Sequence, residues 1–238
     1  MSSVDPTLNV ALLIDADNAS PDSLEAVLAA LGDLGTVNIR RAYGNWQKPA
    51  LRGWADKTHL YAIEPQQQFD VTKGKSATDM KMTIDAMDML HRGNVHGFGI
   101  MSSDSDFMPL AMRIRQDGVP VYGFGNAQTP ASFKQACSRF IDVGALARAS
   151  AEPESTSAAP QRPAIDEELV TLLGAAIKAA KRDERGFADI SEVGQRAANQ
   201  SSFDTRNYGF TRFSELLAAV PNFQVEKRAG GTFVKRVR

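Results

Sequence analysis

The sequence predicts an α/β protein with a mostly parallel sheet, followed by a small winged helix-turn-helix domain. Apolar strands alternate with amphipathic helices over the first 148 residues, the pattern of a three-layer parallel sheet with right-handed crossovers. Residues 149–164 are rich in Pro, Ser and Ala and contain no aliphatic side chain larger than alanine, which is typical of a flexible linker. We therefore predict two domains, over residues 1–148 and 165–238, joined by this linker.

Six strands are predicted in the front domain. Residues 9–15, NVALLID, form a continuous apolar run of the kind found in strands buried on both faces of a sheet. Ser20 and Pro21 predict a helix start, because Ser is a favourable N-cap and Pro is favourable in a first turn. The other predicted strands lie over 36–43, 60–64, 95–103, 119–124 and 139–143. The later helices are predicted over 78–91, 107–117 and 129–136, the first of them with Met80, Ile84, Met87 and Leu90 facing the core.

The tail domain is predicted to contain three helices and a two-stranded wing. An amphipathic helix over 165–181 has its large apolar residues on one side, and further helices begin near 187 and 211. Two β-like arms flank Gly230 and Gly231, which is typical of a hairpin. Three helices followed by a hairpin make up the winged helix-turn-helix arrangement.

The composition excludes several classes of protein. Lys and Arg total 27 and Asp and Glu total 28, so the net charge of −1 excludes a uniformly basic nucleic-acid coat. A single cysteine, Cys137, cannot form an internal disulfide or a thiolate zinc site. No apolar run approaches the ~18 residues of a membrane span, and the first residues lack a signal pattern. We therefore expect a cytoplasmic protein that does not associate with a membrane.

Charge is distributed unevenly along the chain. Residues 1–150 carry 16 acidic and 14 basic side chains, whereas residues 170–238 carry 12 basic and 7 acidic side chains. This asymmetry predicts an acidic site in the front domain and contact with a polyanion by the tail domain. The alternative is that the basic residues of the tail form an ordinary solvated surface.

Carboxylates follow two of the predicted strands. Asp15 and Asp17 end the first strand, and Asp104 and Asp106 follow the strand over 95–103. Ligands bind at the carboxyl ends of strands in open parallel sheets, so these acids are expected to converge. Asp79 lies in the first turn of the predicted helix over 78–91 and is expected to lie close to these four aspartates. Clustered carboxylates are costly without a cation, and Mg²⁺ or Mn²⁺ prefers such ligands. The alternative for each aspartate alone is a helix cap.

Helix geometry separates Asp79 from Asp85. Six residues along a helix correspond to a rotation of about 120° between the two side chains, so they do not share a face. Only Asp79 is therefore expected to point at the acidic cluster.

Polar, basic and aromatic residues near the acids are candidate substrate contacts. Lys73 and Lys75 lie in a basic loop directly before Asp79, and Trp46 offers a ring for stacking on a base. Asn18 is expected to bond a metal-binding carboxylate or a phosphate oxygen. Ser102 and Ser103 are candidates either for phosphate contact or for capping the next helix. The alternative for Trp46 is packing in the core.

Three motifs in the front domain resemble those of the NYN domain. IDADN, KGKSATDMKMTID and SSDSDF occur in the order found in the LabA-like group of this family, a branch of the PIN-like metal-dependent ribonucleases. The resemblance implies a PIN-like sheet with an acidic pocket that holds Mg²⁺ or Mn²⁺ and hydrolyses phosphodiester bonds, most commonly in RNA. Ser103 departs from the family pattern, which often has glycine there. The residues that match the family's acidic and amide positions are Asp15, Asn18, Asp79, Asp85, Asp104 and Asp106.

Roles follow for four of the matching acids. We predict that Asp15, Asp79 and Asp104 bind the metal directly. Asp106 is predicted either to contact the metal-binding side chains without touching the metal itself, or to bind a second metal ion.

The tail contains a motif that resembles the OST-HTH, or LOTUS, domain. RNYGFTRFSELL is followed by a phenylalanine-containing strand and a glycine hairpin, and the resemblance spans about residues 165–238. It implies RNA binding, with Arg206 and Arg212 as the main candidate contacts. The other candidates are Tyr208, Lys227, Arg228, Lys235 and Arg236. A winged helix can instead serve as a protein-docking module, so a protein partner remains an alternative.

These features support three hypotheses for function. The leading one is a divalent-metal-dependent ribonuclease that is directed to RNA by its tail domain. The second is a non-catalytic RNA-binding or protein-docking regulator that retains the acidic pocket. The third is a haloacid-dehalogenase-type phosphatase, which also begins with D-x-D, although Asn18 breaks that pattern. Surface Phe and Met residues leave a homodimer open.

Overall fold

The computed structural model describes residues 8–69, 77–150 and 165–237. The chain folds as two compact units, Met1–Ser150 and Ala151–Arg238. The predicted linker lies outside the described residues from position 151 onward, and residues 149 and 150 belong to a helix.

A six-stranded sheet forms the centre of the front unit, and every neighbouring pair of its strands is parallel. The strands are β1 (Asn9–Asp15), β2 (Thr36–Gly44), β3 (Glu64–Gln67), β4 (Gly97–Met101), β5 (Val121–Gly125) and β6 (Arg139–Asp142). Their order across the sheet is β3-β2-β1-β4-β5-β6. The direction in which strands are added therefore reverses between β1 and β4, and a crevice at such a reversal is the usual ligand site of an open α/β sheet.

Helices cover both faces of this sheet, which confirms the predicted α/β fold with its three layers. They are α1 (Leu24–Gly32), α2 (Ala55–Leu60), α3 (Ala77–Arg92), α4 (Met108–Gln116), α5 (Ala131–Ala136) and α6 (Val143–Ser150). Helices α3, α4 and α5 pack on one face, and α1 and α6 pack on the other. Residues Ala11 to Ile14 of β1 are completely buried between them, as their continuous apolar run predicts.

The third strand was predicted at the wrong position. Residues 55–60 are helical, Ala62 turns the chain with a positive φ of 50°, and β3 begins only at Glu64. Leu60 is 71% exposed and so contributes nothing to the core. The strand itself, EPQQ, lies at the sheet edge and has no apolar alternation, so the sequence contains no signal for it.

The buried face of α3 also differs from the prediction. Met80 and Ile84 are 66% and 53% exposed, whereas Met82 is completely buried. Leu90 is buried and Met87 packs partly against the core, as predicted. Two apolar stripes run along this helix, and packing against the sheet selects the one that includes Met82 and Ala86.

The tail unit has the predicted three helices and hairpin wing. Its helices are α7 (Glu167–Ala179), α8 (Ile190–Gln200) and α9 (Phe213–Ala219), and its strands are β7 (Ala188–Asp189), β8 (Phe223–Arg228) and β9 (Gly231–Arg236). The two-residue strand β7 was not predicted; it pairs with β9 in an antiparallel sheet of order β7-β9-β8. Asp166 and Asp189 cap α7 and α8 through their side chains. Within the described parts of the chain, none of the helices combines the length and the hydropathy that a membrane span requires.

The two faces of α3 give a stability prediction for the front unit. We expect Met82→Ala to lower its free energy of unfolding by about 2–5 kcal/mol, because the side chain is completely buried. Met80→Ala should change it by less than about 0.5 kcal/mol, since that side chain is exposed. Both tryptophans, Trp46 and Trp54, lie in the front unit, so their fluorescence during urea unfolding reports on this unit. Equal losses in the two variants would contradict the assigned helix face.

Candidate metal centre

The carboxyl ends of β1 and β4 meet where the strand order reverses. Ile14 of β1 pairs with Met101 of β4, so Asp15 and Ser102 extend the two strands side by side. Because side chains alternate along a strand, Asp15 shares a sheet face with Leu13, which packs in the core beneath α3. The backbone N–H of Ser102 donates to the carbonyl oxygen of Phe124 in β5 at 3.0 Å, and this bond fixes the position of Ser102. The sheet therefore directs the Asp15 carboxylate toward the helix that carries Asp79.

Asp15 is completely buried, and only one of its carboxylate oxygens has a hydrogen-bond partner. Oδ2 accepts from Ser102 Oγ at 2.7 Å and from Asn18 Nδ2 at 2.9 Å. Oδ1 is buried and has no partner among the described atoms. Burial raises the pKa of Asp15, the two hydrogen bonds oppose that rise, and the charges of Asp17 and Asp104 add to it. A buried oxygen without a donor is unfavourable unless another positive group satisfies it.

Ser102 connects Asp15 to the turn that holds Asp104. Its hydroxyl group donates to the carboxylate of Asp15, and the hydroxyl oxygen accepts from the backbone N–H of Asp104 at 3.0 Å. Asp104 in turn accepts from the backbone N–H of Asp106 at 2.9 Å and so caps the short helical turn over Ser105–Phe107. The capping alternative raised by the sequence is therefore correct for Asp104. One hydrogen-bonded chain fixes the relative positions of two carboxylates from different strands.

Three carboxylates converge next to Asp15. Asp79, Asp104 and Asp106 each offer a ligand oxygen, and these oxygens lie within 4.8 Å of one another. Asp79 comes from the first turn of α3, and the other two come from the turn after β4. Asp15 is not a member of this group but interacts electrostatically with it through Asp104. Of the predicted ligands Asp15, Asp79 and Asp104, the last two lie in this group together with Asp106, and their binding of a metal stays a prediction.

The chemistry of these groups fits Mg²⁺ or Mn²⁺. All of the ligand atoms in this group are carboxylate oxygens, which hard divalent cations prefer, and Asp15, which interacts electrostatically with Asp104, has an unpartnered buried Oδ1. Cys137 is buried elsewhere in the core, and burial raises the pKa of its thiol to about 12. Carboxylates from β1, α3 and the turn after β4 therefore form the candidate metal centre of this protein.

Asp17 supports the start of α3 rather than the acidic group. Its Oδ1 accepts from Lys48 Nζ at 3.1 Å, and its Oδ2 accepts from the hydroxyl of Thr78 at 3.3 Å. Thr78 directly precedes Asp79, so the contact ties the end of α3 that carries Asp79 to the loop after β1. Asn18 bonds the carboxylate of Asp15, one of its two predicted partners. The Asp17–Thr78 contact was not predicted, since the two residues are separated by 61 positions.

Asp85 has a different environment from Asp79, as helix geometry predicts. It is 6% exposed and accepts from Lys81 Nζ at 2.7 Å, Tyr43 Oη at 3.1 Å and Arg41 at 3.4 Å. Burial and the charge of Asp85 raise the pKa of Tyr43. Asp85 matches an acidic position of the resembled family, but here its charge is neutralised by an ion-pair network between α3 and β2.

The predicted substrate contacts have different environments. Lys73 and Lys75 lie outside the described residues. Trp46 is partly buried against the core, and its indole N–H donates to the carbonyl of Gln66 at 3.0 Å, so the packing alternative describes much of this ring. Arg206 pairs with the buried Asp204 at 3.1 Å and is 17% exposed, whereas Arg212 is 71% exposed. Of the two tail arginines, Arg212 is the accessible one. Their contact with substrate stays a prediction.

The two serines have structural partners. Ser102 bonds the Asp15 carboxylate, and Ser103 Oγ accepts from the backbone N–H of Asn126 at 3.1 Å. The hydroxyls therefore hold together the loops at the ends of β1, β4 and β5.

The environment of Asp15 predicts the pH dependence of its effect on stability. Its pKa is raised in the folded protein from an ordinary 3.8, so ionisation favours unfolding, and its destabilising effect grows as pH rises above that value. Without divalent cation, we expect Asp15→Asn to be more stable than the wild type at pH 7, with the difference shrinking toward pH 4. Tryptophan-monitored urea unfolding at several pH values measures this difference. A variant that is less stable than wild type at pH 7 would contradict the prediction, and Asp88→Asn, at an exposed position of α3, is the control.

The Asp85 network gives a second stability prediction. Asp85→Asn should lower the free energy of unfolding by about 1–3 kcal/mol, because it removes the charge that Lys81 and Arg41 share and weakens the Tyr43 hydrogen bond. Asp88→Asn makes the same substitution one helical turn away at an exposed position and should be nearly neutral. Urea unfolding followed by tryptophan fluorescence compares them, and similar stabilities for the two variants would show that the network is unimportant.

Two solved structures are distantly similar to this chain. A protein of unknown function from Vibrio parahaemolyticus is 19% identical, and the match covers 60% of this chain and 96% of that one, with a TM-score of 0.47. MurG from Acinetobacter baumannii is 13% identical, and the match covers 83% of this chain and 64% of MurG, with a TM-score of 0.38. No curated protein matches the chain.

Family models match both units. The NYN domain model matches residues 9–147, more than half of the chain, and includes every strand of the six-stranded sheet and all of the candidate metal ligands. The OST-HTH/LOTUS domain model matches residues 164–234. The chain belongs to the NYN domain family and carries an OST-HTH/LOTUS domain after its PIN-like sheet.

Proposed function

We propose that this protein is a divalent-metal-dependent ribonuclease that hydrolyses RNA phosphodiester bonds and is directed to RNA by its tail domain. NYN domains are PIN-like nuclease domains, and OST-HTH/LOTUS domains bind RNA. The observation that carries the proposal is the convergence of Asp79, Asp104 and Asp106 beside the buried, incompletely bonded Asp15. Membership of the NYN family leaves the haloacid-dehalogenase alternative without support.

The residues of the candidate site have different proposed roles in binding a cation. Asp79, Asp104 and Asp106, with Asp15 behind them, would hold Mg²⁺ or Mn²⁺. Such an ion lowers the pKa of a bound water and stabilises charge that develops at phosphorus. Asn18 and Ser102 both bond Oδ2 of Asp15, and these two hydrogen bonds fix the orientation of the carboxylate and hence the position of its unpartnered Oδ1. Burial raises the pKa of Asp15, and a cation near its carboxylate would favour the ionised form.

The two domains supply different parts of the proposed activity. Domain limits of 1–148 and 165–238, with a linker over 149–164, would place all candidate ligands in the first domain. The tail, which is rich in basic residues, would bind RNA and raise its concentration near the acidic site. We propose that this activity is cytoplasmic.

Substitution of one ligand tests the proposal. Purified wild-type protein should cleave labelled single-stranded or structured RNA with Mn²⁺ or Mg²⁺, and EDTA should abolish cleavage. Asp104→Asn should reduce the rate at least ~100-fold, because it removes a charge that acts where the transition state is stabilised. Asp117→Asn is the matched control, since Asp117 lies at the far end of α4 and pairs with Arg113.

The possible outcomes separate the hypotheses. Equal cleavage by Asp104→Asn and wild type would mean that the activity comes from a contaminating nuclease. RNA binding without any metal-dependent product would favour the non-catalytic regulator. Absence of both binding and cleavage would favour a protein-docking role for the tail domain.

A further inference from the structure

A groove on the tail unit is lined by three cations. Lys178 at the end of α7, Arg182 just beyond it and Arg236 at the end of β9 surround a space of about 260 Å³. Gly174, Ile177 and Gly186 complete its lining, so no carboxylate lines it. All three basic residues are exposed to solvent. We call this feature the basic groove.

Arg236 lies directly against the backbone of α7. A Cβ atom added at Gly174 would come within 2.7 Å of Arg236 Nη1 and 3.3 Å of its Cζ. Any larger residue at position 174 would therefore displace the guanidinium group. The absence of a side chain at Gly174 allows a strand residue and a helix to form one positively charged surface.

The backbone that carries Arg182 is held on both sides. The N–H of Lys181 donates to the carboxylate of Glu192 at 3.1 Å, and the N–H of Asp183 donates to the carbonyl of Phe187 at 2.8 Å. Arg182 itself forms a β-bridge with Ala188. Arg182 is therefore presented from a fixed backbone, which reduces the conformational entropy lost when a ligand binds.

Three arginines elsewhere in the tail are neutralised within the domain. Arg228 pairs with Asp183 and Glu226 and stacks on Phe187 at 4.4 Å, and Arg185 pairs with Glu226 at 3.3 Å. Arg206, a predicted RNA contact, forms an ion pair with Asp204. In contrast, neither Lys178 nor Arg182 has a carboxylate partner within the described residues 165–237. The positive charge of these two residues is available to an external anion.

We propose that the basic groove binds phosphate groups of an RNA backbone, so that the α7–β9 face of the tail domain bears the RNA. The inference rests on the proposed ribonuclease function and adds the surface through which the substrate is held. Guanidinium groups bind phosphate oxygens in bidentate fashion, and Lys adds a point charge. The helix dipole alone accounts for cations at the end of α7, but Arg236 comes from a different element and faces the same space. Backbone contacts of this kind carry no sequence preference.

Fluorescence polarisation with the full-length protein tests the groove. Labelled single-stranded RNA is titrated in EDTA, which withholds divalent cation and keeps the RNA intact. The double variant Lys178→Gln, Arg182→Gln should bind about tenfold more weakly at 0.15 M salt, and the slope of log K against log salt should fall by about 1.4. The loss should be the same for RNAs of different sequence.

A matched double variant removes the same charge from another face. Arg212→Gln, Lys227→Gln changes two exposed predicted contacts, before α9 and on the wing, and so tests that face as the alternative RNA surface. The control is Arg185→Gln, Arg196→Gln, which removes two arginines that pair with Glu226 and Glu192 inside the domain, and it should keep at least half of the wild-type affinity. Gly174→Ala retains every charge and improves helix propensity, but it displaces Arg236. We expect weaker RNA binding by this variant without a loss of thermal stability.

Two results would overturn the inference. Wild-type binding by the Lys178→Gln, Arg182→Gln protein would exclude the basic groove, and a loss confined to the Arg212→Gln, Lys227→Gln protein would place the RNA on the α9 and wing face. In both cases metal-dependent cleavage by the wild type would leave the ribonuclease function intact. Failure of wild type to bind or cleave any RNA would instead reject the ribonuclease function and the groove together.

Discussion

The electrostatic repulsion among aspartates at one sheet edge is the constraint on which the candidate site depends. Asp79, Asp104 and Asp106 converge on the surface, and Asp15 lies completely buried beside them with one carboxylate oxygen unpartnered. Burial raises the pKa of Asp15, so its ionised form is held at an energetic disadvantage. A divalent cation reverses this relation, since it turns the same repulsive arrangement into a set of ligands. The carboxylates are therefore arranged in a way that suits the proposed cation.

The surrounding structure holds these acids together against their repulsion. Ser102 links the ends of β1 and β4, and Asp17 links the loop after β1 to Thr78 at the start of α3. Each contact joins two elements that contribute carboxylates, so the acids cannot move apart without breaking a hydrogen bond. Asp85 performs a different task on the same helix, where its charge anchors α3 to β2. Two aspartates only six positions apart thus have different environments, since Asp79 lies in the acidic group and Asp85 in an ion-pair network.

The tail domain shows a comparable division among its cations. Arg228 and Arg206 are bound by carboxylates of the domain itself, and Arg228 also covers aromatic rings. Their charge stabilises the fold and contributes little to the external potential. Lys178 and Arg182 instead line a concave surface without acids. A count of basic residues therefore overestimates the surface that can attract a polyanion, because ion pairing removes much of the charge.

Much of this protein was determined by local sequence. The apolar run of β1, the alternation of strands with helices and the glycine hairpin of the tail identify both folds, because each depends on residue periodicity and turn chemistry. The acids after β1 and β4 were predictable as neighbours, since parallel strands present their carboxyl ends at one edge. The separation of Asp79 from Asp85 followed from helix geometry alone.

Other features were decided only by the tertiary structure. The sheet selected which apolar stripe of α3 is buried, because Met80 and Met82 have equivalent side chains and differ only in which direction packing turns them. The edge strand β3 forms by pairing with β2 and has no pattern of its own. Ion pairs such as Arg206–Asp204 and contacts such as Asp17–Thr78 depend on the final positions of side chains. Periodicity places residues on a face, but only packing in three dimensions determines which partners that face meets.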